Sequence, residues 1–296
     1  MDRRLFLLSS SAGLLAVTAC NAGAQSAIAA IPLDLSGPRP TAQLTIGGAP
    51  AATAIFDSGA AASVLRLSYA QRLGLPNRGP AMAHAPSGAP VQGYQTAIAL
   101  AKLGNAEFDN ALAVALDIPL PLEGVDAIIS PTVFSGRLVR FDFAARRADI
   151  LPINAQNTPL AQSEPYIGGD QHAMLTRTPG VTVHLPGDVD AAAIVDTGSR
   201  YGLSFPLEIL HRVPLLAPPQ PDEPSRMIGV ERAAFKATLN GAVRVGALTL
   251  QNPVVRFEEG APTGNVGFEV LRASLLVLDP AGQRSWILAA DGAPSP

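Results

Sequence analysis

The chain has a single cysteine, Cys20, a single tryptophan, four histidines and few charges, 15% of its 296 residues. One cysteine excludes an intrachain disulfide, so stability has to come from a buried core. Lys and Arg are scattered and the formal net charge is −3, which leaves no basic footprint for nucleic acid. His84, His172, His184 and His211 stand at no metal-ligand spacing, and no thiolate remains to complete a site. Neither a metal nor another cofactor is therefore expected. The chain also lacks Gly-x-Gly-x-x-Gly, a Walker loop and a Gly-x-Ser-x-Gly elbow, the positive signals for nucleotide binding and serine-hydrolase chemistry.

What is present is apolar and heavily punctuated: 48% hydrophobic residues, with 27 Gly and 27 Pro spread through the body. That pattern predicts many short strands joined by turns. Arg3 and Arg4 precede an apolar run from Leu5 to Ala19, too short for a comfortable membrane span and suited to a secretory signal. Arg3-Arg4-Leu5-Phe6-Leu7 resembles a twin-arginine export signal, and Val17-Thr18-Ala19-Cys20 resembles the lipobox at which bacterial lipoproteins are lipidated on cysteine. The expected product is exported to the cell envelope or periplasm and held at a membrane by lipid on Cys20. The expected organisation is a signal peptide over 1–20, a tether over 21–40, one lobe over 41–153, a linker over 154–173 and a second lobe over 174–290. Ordered structure is expected to start near Leu33 or Thr41.

The two halves repeat one another. Ile55-Phe56-Asp57-Ser58-Gly59 corresponds to Ile194-Val195-Asp196-Thr197-Gly198, and seven residues beyond each Asp stand Val64 and Leu203. A short helix is predicted after each, at Tyr69–Leu73 and Leu207–Leu210. Further on, Ala127-Ile128-Ile129-Ser130 aligns with Gly264-Asn265-Val266-Gly267. From Ser130 and Gly267, common offsets of four, twelve and twenty residues recover Phe134 with Leu271, Asp142 with Asp279, and Ile150 with Ile287. Apolar runs at Ala42–Ile46, Ala52–Phe56, Ala97–Leu100, Leu112–Leu116 and Leu138–Phe143 read as strands. Asp279-Pro280-Ala281-Gly282 reads as a hairpin turn, with Asp142 opening its counterpart. Duplication of an all-β unit explains the pattern most simply.

A single Asp-Ser/Thr-Gly tripeptide turns up by chance in roughly one chain in ten of this length, and alone would read as a turn carboxylate. Two of them, each at the end of a buried strand and each followed by an aligned strand pair, point to chemistry. On these motifs the region from about Thr41 to Leu288 resembles a retropepsin-like aspartic protease of the pepsin and retropepsin clan, duplicated and fused in one polypeptide. The resemblance implies two β-barrel lobes with a cleft between them, and Asp57 and Asp196 as catalytic carboxylates sharing one proton. It further implies that Ser58 and Thr197 brace the loops, with Gly59, Gly198 and Ser199 supporting them, and that a peptide or protein is the substrate. One chain would hold a complete site, so a monomer suffices. The alternative is a descendant that keeps the fold and binds peptide, or serves envelope assembly, without turnover.

By the same resemblance each half contributes a hairpin flap, with Gly88 and Gly229 falling 31 and 33 residues after their aspartates. A plain surface turn reads the same way; no aromatic stands where a pepsin-like flap tyrosine is expected, and Tyr94 is the one candidate for that role. Three departures from the family pattern stand out. Ser130 replaces the glycine found at Gly267, Arg200-Tyr201 stands where the first half has Ala61-Ala62, and Ser199 stands where it has Ala60. Arg200 would either bind substrate or occupy a solvated edge. A hydroxyl donated to a carboxylate favours its charged form, so Ser199 predicts that Asp196 is the ionised partner and Asp57 the protonated one.

Overall fold

A computed structural model of the chain describes residues 28–81, 91–168, 177–227 and 230–290. The expected signal, Cys20, Gly88 and Gly229 lie outside the described residues. Among the described residues no helix is long and apolar enough to cross a membrane.

The fold is nearly all β. Strand β1 (Ala29–Pro32) opens it, earlier than the expected start, because Ala29 to Pro32 pair antiparallel with Ile150 to Arg147. The stretch expected to be a tether thus includes a strand, with Ile31 fully buried. The first lobe then runs through β2 (Thr41–Ile46), β3 (Ala52–Phe56), β4 (Ser63–Arg66), α1 (Leu67–Arg72), β5 (Gly93–Ile98), β6 (Ala101–Leu103), β7 (Ala106–Phe108), β8 (Ala111–Leu116) and β9 (Val125–Ile129). These eight strands form one sheet in the order β5-β8-β4-β9-β3-β2-β6-β7. Alternation decides which face is buried: in β2, Ala42, Leu44 and Ile46 point inward while their neighbours stay more exposed. The expected strand Ala97–Leu100 is corrected, since β5 ends at Ile98. Leu100 is an exposed turn residue with positive φ whose N–H donates to Asp109 Oδ1. The unbroken apolar run around it hides that turn.

Strands β10 (Leu138–Asp142) and β11 (Arg147–Leu151) close the first half, and β12 (Glu164–Pro165) lies within the expected linker. That stretch is fastened rather than loose: β12 pairs with Ser285 and Arg284, and Trp286 Nε1 donates to Ala161 O at 3.0 Å. The second lobe comprises β13 (Gly180–Leu185), β14 (Val189–Asp196), β15 (Leu203–Pro206), β16 (Gln220–Met227), β17 (Val230–Thr238), β18 (Ala242–Val245), β19 (Leu248–Gln251), β20 (Val254–Glu258) and β21 (Gly264–Gly267). Its sheet order is β16-β17-β20-β15-β21-β14-β13-β18-β19, the first lobe's order strand for strand with β16 added at one edge. A 3₁₀ turn at Leu207–Arg212 occupies the place of α1.

After α2 (Phe268–Leu271), β22 (Ser274–Asp279) and β23 (Arg284–Ala289) join a six-stranded sheet ordered β1-β11-β10-β22-β23-β12, to which both halves contribute. In the β22–β23 turn the buried Asp279 accepts from Gly282 N–H, and in the matching turn Asp142 accepts from Ala145 N–H. Pairing of β10 with β22 ties the halves together. Above this sheet Phe56 packs on Phe141, Phe141 on Phe143 and Phe143 on Phe268, with ring centroids 4.7, 5.7 and 5.4 Å apart. This aromatic chain runs from the residue before Asp57 to the residue after Gly267, so apolar burial sets the spacing of the two lobes.

Candidate active site

Each aspartate stands where a central strand leaves its sheet. β3 pairs parallel with β9, bringing Phe56 opposite Ile129, and Asp57 N–H donates to Ile129 O at 3.0 Å. β14 pairs parallel with β21, bringing Asp196 opposite Gly267. The chain turns away after each aspartate, and the glycine two residues on permits the close approach of the other lobe's loop.

The two loops lock by reciprocal bonds. Ser58 N–H donates to Thr197 Oγ1 and Thr197 N–H donates to Ser58 Oγ, each at 2.9 Å. The hydroxyls then donate onward across the interface, Ser58 Oγ to Val195 O at 2.7 Å and Thr197 Oγ1 to Phe56 O at 2.8 Å. Both side chains are buried, so each of these groups would be unpaired without its partner. Thr197→Val keeps the shape and removes the oxygen, orphaning Ser58 N–H and Phe56 O. Denaturant unfolding should show a loss of about 2–4 kcal/mol; an unchanged midpoint would mean that the brace contributes nothing.

The brace sets the carboxylates face to face. A Cβ on Gly59 would lie 2.6 Å from Asp196 Cγ, and one on Gly198 would lie 2.2 Å from Asp57 Oδ2. Each glycine therefore packs flat against the other lobe's aspartate. Gly59 N–H donates to Asp57 Oδ1 at 2.8 Å. Asp57 keeps part of its surface exposed, with protein atoms crowding its other sides. Burial first, then the facing charge of Asp196 and the bond between the two side chains, push its carboxyl well above the usual range. The Gly59 and Gly198 amides act in the opposite sense.

The expected donor to Asp196 is corrected. Among the described residues Ser199 Oγ makes no hydrogen bond to Asp196; it lies over Gly267 instead, 3.0 Å from where a Cβ would stand. The donor is Asn265 Nδ2, 2.7 Å from Asp196 Oδ2. Ser130 is accommodated because its lobe differs locally. Its N–H donates to Ser63 Oγ, and its own Oγ caps the following 3₁₀ turn by accepting from Thr132 N–H. Gly267 has no such freedom, since a Cβ there would meet Tyr201 O at 2.0 Å.

Arg200 resolves toward structure. Its Nη2 bonds Tyr201 Oη at 2.8 Å and Glu223 Oε2 at 2.7 Å, tying the loop after Asp196 to strand β16. Arg256, almost fully buried, stacks on the Tyr201 ring at 4.5 Å and pairs with Asp222 and Glu258. Arg39, from the segment before β2, donates from Nε to Gly198 O and from Nη1 to Pro121 O. Burial and then Arg200 pull its pKa down, while Asp196 and Asp57 pull it up, which puts a guanidinium within electrostatic reach of both carboxylates. Arg39, Arg256 and Asn265 were not singled out from sequence. Asn265 carried a signal, being the polar residue aligned with Ile128, whereas the two arginines carried none.

The segments expected to be flaps are described only at their bases. In the first lobe Ala81 N–H donates to Gly93 O and Gln95 N–H to Gly79 O, closing the base of the segment that holds Gly88. In the second, Met227 pairs with Val230 around Gly229. Tyr94 is buried within β5. A groove of about 580 Å³ opens elsewhere, beside Trp286, Glu164 and His184, and no residue of either Asp loop lines it.

The aspartyl protease family model matches residues 42–130, which span β2 to β9, with Asp57, Ser58, Gly59 and Ser130 inside the match. No curated protein matches the chain.

Proposed function

We propose that the protein is an aspartic endopeptidase, exported and held at a membrane by lipid on Cys20, that hydrolyses peptide bonds in the cleft between its lobes. The observation that carries the reading is the pair of facing carboxylates, one from each lobe, held by buried reciprocal bonds between the loops that bear them. Two carboxyl groups in contact cannot both ionise cheaply, so they hold one proton between them and titrate as a unit. Burial and the facing Asp196 raise the Asp57 carboxyl, and Asn265 donates to Asp196, which together support placing the proton on Asp57. The ionised Asp196 takes a proton from a water as the water attacks the peptide carbonyl, and Asp57 donates to the carbonyl oxygen. Collapse of the tetrahedral intermediate breaks the C–N bond as one of its hydroxyls returns a proton to Asp57, and the proton held on Asp196 passes to the leaving amine. The hairpins bearing Gly88 and Gly229 close over the substrate, and one chain supplies the whole site.

A peptide whose scissile amide is replaced by a hydroxyl-bearing tetrahedral carbon mimics that intermediate. Calorimetry should find it bound at least about 10²-fold more tightly than the amide peptide of the same sequence. Equal affinity for the two would overturn the hydrolytic reading and leave a protein that binds peptide without acting on it.

A further inference from the structure

We infer that Asn265 is a positioning residue that fixes the ionised carboxylate on Asp196 and leaves the shared proton on Asp57, a refinement that rests on the hydrolytic reading above. The two lobes differ at this point and match around it. Ile128 pairs with Ile55 on one side and Val64 on the other; Asn265 pairs with Ile194 and with Ser204, which takes the place of Val64 one residue beyond the sequence match at Leu203. Ile55 and Ile194 each stand two residues before an aspartate, so Asn265 and Ile128 occupy the same place beside their own loops. Only Asn265 can bond there, and it does, with Nδ2 at 2.7 Å from Asp196 Oδ2. An ionised Asp196 can only accept here, which is what the Nδ2 contact provides, whereas a protonated Asp196 could instead donate to the amide oxygen in an uncharged bond.

A hydrogen bond to a charged acceptor is roughly twice as strong as one between neutral groups, so Asn265 favours the state in which Asp196 bears the charge. Asp57, in a lobe that offers Ile128 at this place, has no side-chain donor there; the Gly59 and Gly198 amides favour its charge, but burial and the facing Asp196 outweigh them and raise its affinity for a proton. The charged groups facing the pair do not reverse the assignment. Arg39 reaches both carboxylates, with the larger pull on Asp196. Arg200 is engaged with Tyr201 and Glu223, and Glu269, at the start of α2, faces Gly202.

Asn265→Leu, with Asn265→Ala as a second variant should the first fold poorly, tests the role through the pH profile of kcat/KM. The charge on Asp196 is gained in the first ionisation of the pair and kept through the second. Losing the donor should therefore raise the acid limb by about one pH unit and leave the alkaline limb in place. Structural damage alone would lower kcat/KM at every pH without moving a limb, and that result would overturn the inference. A carboxyl ¹³C titration of Asp196 reads the same effect without turnover, its midpoint rising by about one pH unit in the variant. If the native protein cleaves peptides and neither the limb nor the midpoint moves, the positioning role fails and the hydrolytic reading stands. If the midpoint moves in a protein that cleaves nothing, the role of the bond is supported and the hydrolytic reading is what fails.

Discussion

Replacing Gly198 with alanine should abolish cleavage while leaving both aspartates in place. The new methyl carbon would stand 2.2 Å from Asp57 Oδ2 and 2.3 Å from its Cγ, far inside any permitted contact. Relief has to come from the Asp57 side chain or the Gly198 backbone, and both are committed. Asp57 Oδ1 holds Gly59 N–H, and Gly198 O accepts from Arg39. The residue just before Gly198 is locked to the other lobe through Ser58. A carboxylate pushed aside by an ångström no longer shares its proton or its water with its partner, and displacements of that size cost roughly 10²-fold in rate. We expect kcat/KM to fall by at least about 10²-fold, with a smaller effect on stability, of about 1–3 kcal/mol, typical of overpacking. The variant should also lose its preference for the tetrahedral analogue. Near-native kcat/KM in a folded variant would mean that the close approach of the loops is dispensable.

The repeat made much of this legible in advance. Matching strands, hairpin turns and Asp loops could be aligned because the residues that define them are local: a buried run, a turn Asp, a Gly. The six-stranded sheet was not legible as a shared structure. Its pairing of β10 with β22 depends on how two lobes meet, and β1 and β12 lie in stretches whose short, Pro-bearing sequences carry no period of their own. The brace between Ser58 and Thr197 was anticipated through family resemblance, since nothing in either tripeptide says that the other faces it. At Asp196, sequence adjacency misled. Ser199 is near in the chain, but the bond comes from Asn265, which a parallel strand pairing carries to the carboxylate from far along the sequence. Arg39 gave no warning, because a lone arginine before a proline has no pattern until the other lobe places a carbonyl against it.

Two nearly equivalent lobes thus give the carboxylates unequal surroundings. The backbone geometry around the aspartates repeats, with the same strand order and register in each half. The asymmetry rests on single side chains, Asn265 against Ile128 and Gly267 against Ser130, set into a repeated frame. The repeated frame brings the two carboxylates together, and these single side chains make their surroundings unequal.

The central claim is that Asp57 and Asp196 are both indispensable and act together. Its most direct test is digestion of a diverse peptide mixture from pH 3 to 8 by the native protein, Asp57→Asn and Asp196→Asn, with fragments identified by mass. Asparagine keeps the size of each side chain, but it supplies neither a proton at the Asp57 position nor a base at the Asp196 position. General acid and base steps each contribute roughly 10²–10⁴-fold, so either change should reduce cleavage by at least about 10³-fold. The native protein should make internal cuts that neither variant makes. Native cuts retained by either variant, or none made by the native protein across that range, would contradict a shared catalytic role for the two carboxylates.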